Sequence, residues 1–402
     1  MPQNKNSLTS IVLAVVLGVF LGWGTMRFAG VRQYVLGETT SSASADMRLF
    51  YEAWRKLSDT YYKPEELQED RMIEGATAGM VDSLGDAYTL YLPPENNDRS
   101  NEDIAGSFYG IGVELAYIDG VVGIQAPIAD TPAERAGIQA RDVFIHIKDE
   151  INDVDEEVYD WTIQQIQNVL RAKDKTPVTI TLFRSDYNNN EPFEVTIVRE
   201  EIKMQSVWLE FVTNSRSQTI AHLRVGSFGE RTTEEWNQAV KDILARGNIA
   251  GIALDVRNNP GGLVWEAIKI ASEFIEDGVI LHQEGRKSSN TRDYESTGRS
   301  RLKDIPVVVL VNGGSASSSE IVAGALRDRL DTTIIGSKTF GKGLVQERID
   351  LSNGGGLHVT VATWKLPNGD WIQDKGIEVD IEAKNDYQSQ VDEVLNVAIE
   401  QF

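Results

Sequence analysis

The chain has no cysteine and only four histidines in 402 residues. The first absence excludes disulfide staples and thiolate metal sites, although it does not fix the compartment. The second leaves few imidazoles for acid–base work, at His146, His222, His282 and His358. Basic residues are scarce too. Lys and Arg number 39 against 61 Asp and Glu, a net charge of −22. Such a chain repels phosphates, which argues against nucleic acid or an anionic membrane surface as a partner. No internal repeat and no low-complexity tract appears. What is present is a globular composition, 41% hydrophobic and 25% charged, at a length suited to two or three domains.

The most informative stretch runs from Val307 to Gln346. Val307 to Val311 is an unbroken apolar run of the kind a buried strand shows. Asn312-Gly313-Gly314 makes a turn, Ser315, Ala316, Ser317, Ser318 and Ser319 follow, and Ile321, Val322, Ala325 and Leu326 recur at helical spacing. A serine cluster therefore sits where a strand turns into a helix. Such serines serve often enough as plain helix caps. The same place suits a nucleophile, because the turn lifts a hydroxyl clear of the sheet and helix N-terminal amides stabilise an oxyanion.

Thr332 to Ile335 reads as another short strand, and Lys342 follows between two glycines. None of the four histidines lies beside the serines, so a lysine is the base within local reach. It would work only unprotonated, which burial in an apolar-walled cleft favours. Gln346, four residues on, is placed to hold the amine through its side-chain carbonyl. Gly336 to Gly343 imitates a phosphate-binding loop, but glycine stands where Ser or Thr would bind magnesium. Leu344 to Ile349 then alternates as a strand and opens no helix, so nucleotide binding is rejected.

Ser-Ala-Ser-Ser-Ser-Glu followed by Phe-Gly-Lys-Gly-Leu-Val-Gln closely resembles the C-terminal processing peptidases, also called tail-specific proteases. In that family the nucleophile is the serine three before the glutamate, and a lysine base follows it by 25 residues. The resemblance implies Ser317 as nucleophile, Lys342 as base and Gln346 as the lysine-orienting residue. Ser318 replaces the family's usual alanine, and Ser318 and Ser315 stay open as alternative nucleophiles. Leu-Asp-Val-Arg-Asn-Asn-Pro-Gly-Gly, residues 254–262, matches the family's second motif, with Val256 where leucine is usual. The amide of Gly261 or Gly262 would pair with that of Ser318 as the oxyanion hole. Asp255 with Arg257, and likewise Glu320 and Asp328, read as structural charges, with a part for the acids in ordering the site also open.

Other segments fill in the plan. Leu8 to Gly24 is almost continuously apolar, a membrane anchor or signal segment within residues 1–30, with the uncleaved anchor preferred. The flanking charges do not settle its orientation; a catalytic part outside the cytoplasm is what the resemblance implies. Residues 31–46 form a tether. Residues 47–100 read as a helical arm, its second helix starting at Arg71 and ended by Leu92-Pro93-Pro94. Residues 101–200 resemble a PDZ domain, most specifically in Pro-Ala-Glu-Arg-Ala-Gly-Ile, with a long helix from Glu157 to Arg171. Gly110, Ile111 and Gly112 would receive a peptide carboxylate, and Arg171 resembles an arginine that some relatives use to sense the peptide. Residues 201–402 form the catalytic domain, an α/β core with a crossover sheet of crotonase-like type. Gly285 to Arg301 reads as an exposed loop.

The expected protein is thus a membrane-anchored serine endopeptidase with a Ser-Lys dyad. It would take protein substrates with accessible apolar C-termini and need no metal or cofactor. A homo-oligomer or an adaptor partner is open. The rival reading is a catalytically silent, membrane-anchored PDZ adaptor on a peptidase-like fold, which would have no need of Ser317, Lys342 and Gln346.

Overall fold

The computed structural model describes residues 46–172, 174–185, 187–385 and 391–402. The expected anchor and nearly all of the tether lie outside the described residues. Among the described residues, no helix is long and apolar enough to cross a membrane. The chain divides between Ile73 and Glu74 into two compact units. The first contains α1 (Arg48–Thr60), none of whose residues is buried, and the start of α2 (Glu69–Asp82).

In the second unit the arm departs from expectation. Helix α2 ends at Asp82, not at the prolines. Leu90–Leu92 is a strand, β1, and Pro94 opens a further helix, α3 (Pro94–Ala105). The physical reason is that proline suits the first turn of a helix, where its missing N–H has no partner to lose. The prolines mark a beginning.

A PDZ-like module follows, made of β2 (Ser107–Gly110), β3 (Val113–Ile118), β4 (Val121–Pro127), α4 (Pro132–Arg135), β5 (Val143–Asp149), β6 (Val154–Glu157), α5 (Ile163–Leu170), β7 (Pro177–Phe183), β8 (Phe193–Val198) and β9 (Glu200–Lys203). Its sheet runs β3-β4-β5-β7-β8, with β6 on β5. Ile124, Phe144, Ile147, Ile166, Ile180 and Leu182 are wholly buried at its centre, each worth roughly 1.5–3 kcal/mol of transfer free energy. The helix is shorter than the pattern from Glu157 implies. Val154–Glu157 pairs with β5 as a strand, and Thr162 with Gln165 forms a capping box that fixes the helix start. Strands β2 and β9, which lead into and out of the module, pair with each other from Ser107–Lys203 to Gly110–Glu200.

The rest is the α/β core: β10 (Val207–Thr213), β11 (Thr219–Val225), α6 (Thr232–Arg246), β12 (Ile249–Asp255), α7 (Val264–Ala271), β13 (Val279–Gly285), β14 (Arg292–Glu295), β15 (Val307–Val311), α8 (Ser318–Leu330), β16 (Ile334–Gly336), β17 (Leu344–Asp350), β18 (Gly356–Lys365), β19 (Ile381–Glu382) and α9 (Glu393–Ile399). One sheet has the order β10-β11-β12-β15-β16-β19 and is parallel apart from β10. Side chains of α6, α7 and α8 cover one face and those of α9 the other, so the central strands are apolar on both sides. The other sheet has the order β1-β18-β13-β14, with β17 on β18. The stretch Gly285 to Arg301 is therefore only partly loop: Arg292–Glu295 zips onto β13.

Candidate active site

Strand β15 delivers the serine turn from the middle of the parallel sheet. Three of its four hydroxyls are spent on the neighbouring loop. Ser315 Oγ donates to the Val256 carbonyl (2.8 Å), Ser318 Oγ to that of Gly262 (3.0 Å) and Ser319 Oγ to that of Asn259 (2.8 Å). All three side chains are fully buried. Ser317 differs. It is only half-buried, its hydroxyl donates to no acceptor among the described residues, and its backbone is held at φ 53°, ψ −113°. That conformation is costly for an L-residue and persists only where its surroundings enforce it.

Glu320 does the enforcing. Fully buried in the first turn of α8, its Oε2 accepts from the Ser317 N–H (2.8 Å) and the Lys342 N–H (2.9 Å). Its Oε1 accepts from the Gly341 N–H (2.7 Å) and the Thr339 hydroxyl (2.5 Å). The backbones of Ser317 and Lys342 thus meet across a single oxygen atom. The spacing Ser-x-x-Glu at a helix start is the signal that points to this contact, and it went unused in the sequence reading.

The lysine loop is fastened at its other polar groups as well. The Trp364 indole donates to the Lys342 carbonyl (3.0 Å) and the Trp371 indole to that of Gly343 (3.0 Å). The Asp374 N–H meets the Gly341 carbonyl, and the Gly343 N–H meets Gln373 Oε1. A Cβ on Gly341 would lie 2.7 Å from the Gly376 nitrogen, so the packing there requires glycine. The side chain of Lys342 leaves this clamp and its Nζ donates to Gln346 Oε1 (2.7 Å). Burial pushes its pKa below the ordinary 10.5, against the opposing pull of the Glu320 charge. No hydrogen bond joins the Ser317 hydroxyl to the Lys342 amine in this structure. After the loop comes β17, a strand, as expected when nucleotide binding was rejected.

Gly261 lies directly against the turn. A Cβ there would fall 2.9 Å from Ser317 Cβ and 3.1 Å from the Ser318 nitrogen. Its own N–H, however, donates to Asn259 Oδ1 (2.9 Å). The N–H groups of Ser318 and Gly262 find no acceptor among the described residues. Asp255 and Arg257 form an ion pair that also engages His222 and Asp392. Burial raises the Asp255 pKa, but the hydrogen bonds from Arg257 and His222 outweigh it and hold the group at about 2. These residues line a cavity of about 530 Å³ that includes none of Ser317, Lys342 and Gln346.

In the module, β3 is an edge strand that among the described residues pairs only with β4, and α5 packs against it. Gly112 adopts φ +82°, and a Cβ there would collide with Thr131 at 2.3 Å. The N–H groups of Ile111 and Gly112 have no acceptor among the described residues, whereas Gly110 belongs to the β2–β9 ladder. Arg171 is engaged elsewhere. It pairs with Glu102 of α3 (2.7 Å) and its guanidinium lies 4.3 Å from the Phe108 ring centroid. The sequence reading also missed Tyr88, whose carbonyl accepts from Gln346 Nε2.

The sequence profile described as Peptidase family S41 matches residues 219–383. The carboxy-terminal processing protease CtpA of Bacillus subtilis is 30% identical over 94% of this chain and 78% of its own length. A carboxy-terminal-processing protease of Bartonella bacilliformis is 32% identical over 92% of this chain and 82% of its own. Among solved structures, an S41 protease from Bacteroides fragilis superposes with a TM-score of 0.50 at 14% identity, over 84% of this chain and 90% of that one, a likeness of fold.

Proposed function

The chain belongs to the carboxy-terminal processing proteases of peptidase family S41, serine peptidases acting on proteins, and from that premise we propose that Ser317 is its nucleophile and Lys342 its general base. The observation that carries the assignment is the shared Glu320 carboxylate, which fixes Ser317, the serine of this turn that is strained and donates to no carbonyl, against the lysine loop. Ser315 and Ser318 are disfavoured because their hydroxyls are buried and already donating.

The chemistry follows from the groups present. A neutral amine has two hydrogens and one lone pair; Gln346 Oε1 takes a hydrogen, and the lone pair is left for the Ser317 hydroxyl. Ser317 Oγ attacks the scissile carbonyl while its proton passes to Lys342. The tetrahedral oxyanion is met by the N–H groups of Ser318 and Gly262, the latter favoured over Gly261, whose N–H Asn259 occupies. Lys342 then protonates the leaving amine, and a water activated by the same lysine hydrolyses the acyl-enzyme. For this transfer the Lys342 amine must come within hydrogen-bond reach of the Ser317 hydroxyl.

The substrate's C-terminal tail adds to the open edge of β3, its carboxylate on the N–H groups of Ile111 and Gly112. Arg171 would have to leave Glu102 to take part. The apolar segment Leu8 to Gly24 anchors the catalytic part outside the cytoplasm.

Cleavage of an unfolded reporter with an apolar C-terminal tail tests the dyad. Ser317→Ala and Lys342→Ala should each lower kcat by on the order of 10⁴-fold or more. With its pKa depressed, the base is deprotonated as pH rises through that lowered value, so kcat/KM should climb with pH and level off below 10.5. Tail binding without cleavage by the parent would favour the adaptor reading.

A further inference from the structure

Tyr88 touches both members of the Lys342–Gln346 pair. Its carbonyl accepts from Gln346 Nε2, and its ring centroid lies 5.3 Å from Lys342 Nζ. The first contact decides how the glutamine amide is turned. With its NH2 on the Tyr88 carbonyl, the amide oxygen is the end left to face the amine, where it accepts at 2.7 Å. The second contact puts an aromatic face over the amine, where the ring takes up volume that solvent would fill in its absence.

The tyrosine is itself held. Asp86 accepts from the Tyr88 N–H (3.0 Å) and from the Thr89 hydroxyl (2.6 Å), and Thr89 Oγ1 in turn accepts from the Thr360 N–H of β18 (3.0 Å). Thr360 sits opposite Gln346 across the β17–β18 ladder. The turn Asp86–Thr89 is therefore locked to the same hairpin that carries the glutamine. Nothing in the known chemistry of the dyad requires a residue from this part of the chain, which precedes the PDZ-like module.

We propose that Tyr88 is a positioning residue for the catalytic base: its carbonyl sets the orientation of Gln346 and its ring shields the Lys342 amine from water. The proposal rests on Lys342 being that base. Of the charged groups around it, Glu320 from α8 bears on the amine and favours the ammonium, while on β18 burial, Arg348 and Lys342 together push the His358 pKa below its ordinary value. Tyr88 acts on Gln346 through its carbonyl and on Lys342 through the volume of its ring.

The experiment compares Tyr88→Phe, Tyr88→Ala and Asp86→Ala in the full chain, measuring kcat/KM for the tailed reporter against pH together with thermal unfolding. Tyr88→Phe keeps ring and carbonyl and should stay within about threefold of the parent. Tyr88→Ala keeps the carbonyl and admits water, so the rate at neutral pH should fall about tenfold or more and the rising limb should move to higher pH. Asp86→Ala frees the turn and should lower kcat without moving that limb. An unshifted limb and parental rate in a folded Tyr88→Ala would overturn the proposal, as would an equal loss in Tyr88→Phe. If instead Lys342→Ala still cleaves, it is the base assignment that fails.

Discussion

In the PDZ-like module a wholly buried cation, Arg199, organises its surroundings, whereas at the serine and lysine turns a wholly buried anion, Glu320, does so. Arg199 gathers oxygens: the carbonyls of Val169, Leu170 and Pro177, the Thr176 hydroxyl and the carboxylate of Asp149, itself buried. It ties the C-terminal end of α5 to the strands beside it. Glu320 gathers hydrogens, from three backbone N–H groups and one hydroxyl, and forms no ion pair among the described residues. Arg199 joins α5 to strands that ladders already hold together, whereas Glu320 joins two turns that no ladder joins. The difference lies in neutralisation. Arg199 and Asp149 cancel, so their net contribution to stability is small and their loss one at a time is not. Glu320 is stabilised only by dipoles, and its charge opposes the depressed pKa of Lys342. That cost is tolerated where backbone N–H groups of two loops must be aimed.

The comparison can be broken most forcefully in the module. Arg199→Met leaves Asp149 buried without its cation and should cost about 3–5 kcal/mol in urea unfolding, much of it recovered by adding Asp149→Leu. No recovery in the double variant would mean that Arg199 acts mainly through the carbonyls. A smaller effect is expected at the catalytic turns. Glu320→Gln turns an NH2 toward N–H donors and should lower kcat about 100-fold with KM little changed, as misplacing a dyad by about 1 Å would. Single-turnover cleavage within threefold of the parent would show that the carboxylate is dispensable. The smallest effect concerns Asp255, an ion-paired acid of the core. Its folded pKa lies below the ordinary 3.8, so its contribution is present above that value and lost as pH falls through about 2. Acid unfolding of the parent should show about 2 kcal/mol of pH-dependent stability missing from Asp255→Asn.

How much was legible beforehand follows from which interactions are local. The run at Val307–Val311 announced a buried strand because both faces of a parallel sheet are covered. Ser317, Lys342 and Gln346 stood out because short motifs carry them. The Asp86–Thr89 turn did not, since its meaning lies in contacts with Gln346 and Thr360, far away in sequence. Nor did Leu90–Leu92, three residues whose strand character depends on a partner at Gly356–His358. Arg171 was noticed for a role in the groove, but its pairing with Glu102 depends on α3, a helix hidden behind two prolines.

The pairing of β2 with β9 has a consequence for how such a chain is assembled and could be remade. Gly110 and Glu200 are already neighbours in a ladder, so the peptidase sees everything between them as a closed loop whose length scarcely matters. Exchange of one recognition module for another, or its replacement by a tight turn, then asks nothing of the catalytic sheet beyond keeping that short ladder.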